Sequence, residues 1–113
     1  MFISEVIGNI GSDAVVRDIS GKKFVSFSVA HTTRSRDQYG NTTESTIWVS
    51  CLWYGDGGGL FQYLKRGAKV FVRGRTTIKP FTRRDGSFDV GVNLDVSEIQ
   101  LCDMKRDNDL PES

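Results

Sequence analysis

Residues 24–32 read FVSFSVAHT, and in them Val25, Phe27 and Val29 alternate with Ser26, Ser28 and Ala30. Only an extended chain turns a period of two into one apolar face, so this run is a strand with one side in a core. The same period recurs. Val90, Val92, Leu94 and Val96 share one parity, as do Ile47, Val49, Cys51 and Trp53, and so do Val70, Val72 and Ile78. Turn signals separate the runs: Ser20 to Lys23, the polar stretch Arg34 to Ser45 read as a mobile hairpin loop, Gly55 to Gly59, and Asp85-Gly86. The strands expected are Phe2–Ile10 (with Ala14–Asp18 continuing it), Phe24–Thr32, Thr46–Tyr54, Lys69–Phe81 and Ser87–Leu101. Leu60, Phe61 and Leu64 have helical spacing, and Gly67 suits a helix stop, so a two-turn helix is expected over Leu60–Arg66. Five strands with one short helix between the third and fourth is the order of an OB-fold, an all-β five-stranded Greek-key barrel.

At 113 residues and 38% hydrophobic content, the chain is expected to form one folded domain over 1–102. Residues 103–113 read as a short polar, disordered tail. The N-terminus lacks the basic start and apolar run of a signal peptide, and no run reaches the roughly 18 apolar residues of a membrane span. Cys51 and Cys102 are too few for a disulfide scaffold and are expected as buried free thiols in a reducing, cytoplasmic compartment.

Charge is nearly balanced, 15 Lys+Arg against 14 Asp+Glu, but it is not evenly spread. Residues 65–84, KRGAKVFVRGRTTIKPFTRR, hold eight basic residues and no acid. On the strand within this stretch, Val70, Val72, Gly74, Thr76 and Ile78 make a small, apolar face. The opposite face carries Lys69, Phe71, Arg73, Arg75, Lys79, Phe81 and Arg83. A core needs only the first. The Thr46–Tyr54 strand likewise turns Trp48 and Tyr54 to its polar side. Cations that follow phosphates, interleaved with rings that stack on bases, are what single-stranded nucleic acid requires.

Catalysis is not indicated. His31 is the only histidine and continues the core-facing parity of its strand. No paired CxxC spacing supports a zinc site, no GxxxxGK[ST] follows the glycine run, and no cluster of carboxylates suggests a metal nuclease. No cofactor is expected. The residues leave two further readings open: an RNA-binding or primosome-type OB module, and an OB subunit that binds protein through Trp48 and Tyr54.

Five segments occur in order: GNIGSDAVVR (8–17), FSVAHTTRSRDQYGN (27–41), TIWVSCLWYG (46–55), YLKRGAKVFVRGR (63–75) and FTRRDG (81–86). Together they resemble the bacterial-type single-stranded DNA-binding protein family. The resemblance implies an OB-fold that coats single-stranded DNA largely without sequence preference, in replication, recombination and repair. It also implies a homotetramer (a dimer being the alternative), cytoplasmic and nucleoid-associated. By motif position it puts base stacking on Trp48, Tyr54 and Phe81, with Phe71 added from the face pattern. Phosphate contacts fall on Arg17, on Lys65 or Arg66, and on Lys79, and Arg34, Arg36, Arg73, Arg75, Arg83 and Arg84 join them as neighbouring cations. The chain departs from the pattern at Ser35, where some members carry a Trp, and at Asp56, which replaces a basic residue. The acidic, Phe-ended tip that recruits replication and repair proteins is missing from RDNDLPES, which leaves such recruitment open.

Overall fold

The computed structural model describes residues 1–102, and the tail expected over 103–113 lies outside them. The alternating runs form strands β1 (Ile3–Ile10), β2 (Val15–Ile19), β3 (Lys22–Arg36), β4 (Thr42–Tyr54), β5 (Lys69–Thr82) and β6 (Phe88–Leu101). Their order in one sheet is β1-β5-β6-β4-β3-β2, and β1 also reaches β3, which closes the sheet into a barrel. β4 and β6 pair in parallel; every other pair is antiparallel. This is the OB-fold order, with β1 and β2 as two halves of the expected first strand.

That strand divides because its halves serve different neighbours. β1 pairs with β5, whereas β2 pairs with β3. Between them the chain is tied to the segment before β5: Ile10 N–H donates to Ala68 O at 2.9 Å, Gly67 N–H to Ile10 O at 2.8 Å, and Ala14 N–H to Leu64 O at 2.9 Å. Gly8 permits the closure. A Cβ there would lie 2.2 Å from the Ala30 carbonyl oxygen of β3.

The core is what the parities select: Val25, Phe27, Val29, Val49, Cys51, Val70, Val72, Leu94 and Val96, with Ile10 from β1. Leu64 plugs one end of the barrel and is fully buried; removing its side chain to Ala would cost about 2–5 kcal/mol. In β6 the inward parity changes after Val96, so that Ile99 and Leu101 pack on the core. A bulge causes this. Gly74 pairs with Val96 and Arg73 with Glu98, which leaves Ser97 unpaired in the ladder, its hydroxyl donating to Arg73 O at 3.1 Å.

Several expectations are corrected. The short helix is a six-residue 3₁₀ segment, Gly58–Tyr63, starting and ending earlier than the expected Leu60–Arg66. Gly57, at φ +85°, precedes it and Gly58 and Gly59 open it, and just beyond its end Leu64 O accepts the Ala14 N–H at 2.9 Å. The polar stretch 34–45 is mostly paired strand, with β3 running to Arg36 and β4 starting at Thr42. Only 37–41 forms the loop. Ile47, Ile78 and Val90 keep core parity but are exposed, because they lie beyond the closed part of the barrel; Ile47 and Ile78 border an open cleft with Phe2, Ile7 and His31. Cys102 is exposed rather than buried. The Cys51 thiol is buried as expected, and burial pushes its pKa up to about 12. His31 is partly buried, and its Nδ1 donates to Ile7 O at 2.9 Å. Among the described residues no helix is long and apolar enough to cross a membrane.

Candidate nucleic-acid interface

Directly opposed residues in a sheet share a face, so the register traces the barrel's outer wall. One row across β2, β3 and β4 is Arg17, Phe24 and Tyr54. Further along, Ser28, Ser50, Asn93 and Thr77 form a row across β3, β4, β6 and β5. Beyond it come Ala30 with Trp48, Lys79 with Gly91, and Phe81 with Asp89. Tyr54, Trp48, Lys79 and Phe81 therefore lie on one continuous surface. Trp48 and Tyr54 are six residues apart on β4, about 20 Å at ~3.3 Å per residue.

Trp48 is 56% exposed and Phe81 49% exposed. Both line a cleft of about 590 Å³ between β4 and the β5–β6 arm, together with Ser50, Arg83 and Gly91. The Phe81 ring covers Gly91, where an added Cβ would meet it at 3.8 Å. The Trp48 indole rests on Gly11 at the corner between β1 and β2. A Cβ on Gly11 would come within 2.4 Å of Trp48 Cζ3, and Ser28 Oγ borders the same spot at 3.2 Å. The far edge of the indole is thus held at Gly11 while more than half of the side chain stays open to solvent. Tyr54 is 67% exposed, and Phe24 holds it edge-on with ring centroids 5.5 Å apart and planes at 74°. The end of the strand presents the ring, and Phe24 fixes its tilt.

The cations divide into two groups. Arg34 pairs with Glu44 at 2.7 Å, Arg73 with Glu5 at 3.7 Å, Lys65 with Asp13 at 3.9 Å, and Arg83 with Asp89. Among the described residues Arg17, Arg36, Arg66, Arg75, Lys79 and Arg84 have no such ion pair, although Arg75 faces Asp95 across the ladder. Arg36 ends β3, and Arg84 sits in the β5–β6 turn. Lys65 and Arg66 follow the 3₁₀ segment, where Asp13 Oδ1 also accepts the Arg66 N–H at 2.8 Å.

Phe71 stands apart. It is partly buried, level with Ile7 of β1 and Gln100 of β6, and ten residues from Phe81, about 33 Å along β5. Arg73 shares that wall, flanked by Glu5 and Glu98. The eight cations of 65–84 therefore do not form one patch. Sequence reasoning missed Gly11, Phe24, Ser50 and Asn93. Phe24 was within reach, since its parity is opposite to that of Val25 and Phe27. The seat on Gly11 was not, because it joins residues far apart in the chain.

Comparison with known proteins places this geometry. The model of the single-strand binding protein family matches residues 3–102. Single-stranded DNA-binding protein 1 of Xylella fastidiosa is 29% identical over 107 residues, covering 92% of this chain and 79% of its own length. The single-stranded DNA-binding protein of Xanthomonas campestris pv. campestris is 28% identical over 98 residues, covering 85% of this chain, which spans only 57% of that relative. Among solved structures, the Plasmodium falciparum SSB complex with ssDNA superposes with a TM-score of 0.70 at 20% identity, over 91% of this chain and 96% of that one.

Proposed function

We propose that this chain, which belongs to the single-strand binding protein family, binds and protects single-stranded DNA by stacking and phosphate contact, without catalysing a reaction. The observation that carries the reading is the cleft in which Trp48 and Phe81 stand open beside Arg83, on the same outer face as Tyr54. Trp48, Phe81 and Tyr54 take bases on their open sides. Each stacked base is worth roughly 1–3 kcal/mol by alanine substitution. Lys79, beside Phe81, and Arg17, in the row of Tyr54, are the nearest cations without an ion pair among the described residues, and they hold phosphates. Ring faces accept any base, so sequence preference is weak. Work of this kind belongs to replication, recombination and repair, in the cytoplasm at the nucleoid.

The chain self-associates, as a homotetramer or a dimer. β1 is paired on one side by β5, but on the other only Asn9 and Ile10 reach β3. The rest of that edge is open, beside exposed Phe2, Ile3 and Ile7. An open apolar edge is a template for another strand. Phe71, level with Ile7 and far from the cleft, fits a subunit contact better than a base stack.

Tryptophan fluorescence titrated with oligo(dT), oligo(U) and a matched duplex, at low and moderate salt, tests the reading. Strong, salt-sensitive quenching by oligo(dT) and weak response to duplex are expected. Preference for oligo(U) would transfer the assignment to RNA, and absence of binding to every nucleic acid would leave a protein-binding OB subunit.

A further inference from the structure

Between the stacking rings the outer wall carries an acid whose place is at odds with phosphate binding. Trp48, Ser50, Leu52 and Tyr54 share one face of β4, so a strand stacked on both rings crosses Ser50 and Leu52. In the register Ser50 lies beside Asn93 of β6, and Leu52 beside Asp95. Asp95 is exposed. With Arg17, Ser26, Ser50, Leu52 and Asn93 it borders a hollow of about 300 Å³.

A carboxylate repels a phosphate, so an acid near such a wall is tolerated best when it is engaged locally. Most are engaged. Among the described residues every acid except Asp18 and Asp95 has an ion pair or a hydrogen-bond partner. Asp18 faces Lys23 in the β2–β3 ladder. Asp95 has Leu52 on one side and Arg75 on the other, yet it forms no ion pair with Arg75. It stands open in the middle of the wall.

The groups around it match the edge of a base. A carboxylate only accepts hydrogen bonds, whereas the Asn93 amide and the Ser50 hydroxyl, one row along, can donate. Leu52 is partly buried and supplies apolar surface beneath. Cytosine offers the N4 amino group as donor, followed by N3 and O2 as acceptors, and Asp accepting from N4 is a known pairing of this kind. Thymine and uracil carry a carbonyl oxygen in place of N4. That oxygen would set acceptor against acceptor at Asp95, a penalty that discriminates by repulsion.

We propose that Asp95 reads the base lying over Leu52, accepting a hydrogen bond from the N4 amino group of cytosine while Asn93 and Ser50 donate to N3 and O2. This rests on the DNA-binding reading above. Stacking on Trp48, Tyr54 and Phe81 holds any base, and Asp95 adds a preference for cytosine over uracil and thymine at one position of the path.

The test uses the full chain, Asp95→Asn and Asp95→Ala, each titrated at neutral pH with oligo(dC), oligo(dU) and oligo(dA) of about 12 nucleotides, within the roughly 4–16 an OB-fold occupies. Oligo(dC) and oligo(dU) differ at the group Asp95 is assigned to read. The expected result is a ratio of oligo(dC) to oligo(dU) affinity that falls about fivefold in both variants, with their unfolding midpoints at the parent's value. Asp95→Asn keeps the shape and removes the charge. If it raises both affinities alike and leaves the ratio unchanged, Asp95 acts only by repelling phosphate and the inference is overturned, with the DNA-binding reading intact. Equal losses on oligo(dC) and oligo(dU) would overturn it in favour of a structural role. A loss on oligo(dA) with oligo(dC) unchanged would overturn the assignment to cytosine. A parent that binds none of the three oligonucleotides would overturn both readings.

Discussion

Gly11→Ala is a one-carbon change whose effect can be worked out from the geometry. The new Cβ would stand 2.4 Å from Trp48 Cζ3 and 2.9 Å from Cη2. Carbon atoms in contact sit about 3.5–4.0 Å apart, so one of the two groups must move by about 1 Å or more. The Gly11 backbone is held by its N–H bond to Ser28 O at 3.1 Å, while Trp48 is more than half exposed. The ring therefore swings outward and the backbone stays. Overpacking of this kind costs about 1–3 kcal/mol in a closed core; here, with an exit to solvent, we expect the lower end, about 1 kcal/mol of stability. Binding loses more in proportion, about 1–2 kcal/mol, because the platform no longer lies flat for a base. The assay is a double-mutant cycle with Trp48→Phe, whose smaller ring lacks the two atoms that meet Gly11. The alanine should weaken oligo(dT) binding in the Trp48 protein and hardly at all in the Trp48→Phe protein. A second readout needs no DNA: in a Trp53→Phe background, Gly11→Ala should red-shift Trp48 emission. Equal losses in both arms of the cycle, with emission unmoved, would refute the seat.

Gly74→Ala should be far worse, since its Cβ would lie 2.0 Å from the Asp95 carbonyl oxygen, a backbone atom that cannot step aside; we expect a loss above about 3 kcal/mol in denaturant unfolding or failure to fold. Lys79→Ala should lower the slope of log affinity against log salt by about 0.7, the share of one phosphate on a single strand, whereas Arg73→Ala, already paired with Glu5, should leave the slope as it is. A thiol reagent should label Cys102 in the native protein and reach Cys51 only on unfolding. Because burial raises the Cys51 pKa from 9.0 to about 12, its contribution is full below pH 9 and is lost as pH climbs toward 12. The difference in unfolding free energy between the parent and Cys51→Ala should shrink over that window and stay constant below it.

Much of the fold was legible in the order of residues, for a local reason. A strand's two faces are set by parity, so Val25, Phe27, Val29, Val70 and Val72 announced the core, while Trp48, Tyr54 and Phe81 announced the outer wall. The Asp-Gly pair at 85–86 specified its own turn, with Gly86 at φ +89°. Parity failed where it depends on pairing: the bulge opposite Arg73 and Gly74 shifts the inward set from Val96 to Ile99, and nothing in β6 alone shows where its partner slips. It failed again at Ile47, Ile78 and Val90, because a correct parity does not say whether another strand stands opposite.

The charges divide in the same way. The sequence by itself determined that eight cations and two rings fall between residues 65 and 84, and that period two turns most of them outward. Tertiary structure decided which of them are free. Arg73 meets Glu5 and Lys65 meets Asp13, acids some fifty or more positions away in the chain, and Phe71 is set level with Ile7 of β1. The seat of Trp48 on Gly11 arises in the same manner. Side-chain direction is a local property of the backbone, written residue by residue. Ion pairing, ring support and the cleft between β4 and the β5–β6 arm depend on distances between segments that only closing the barrel brings together.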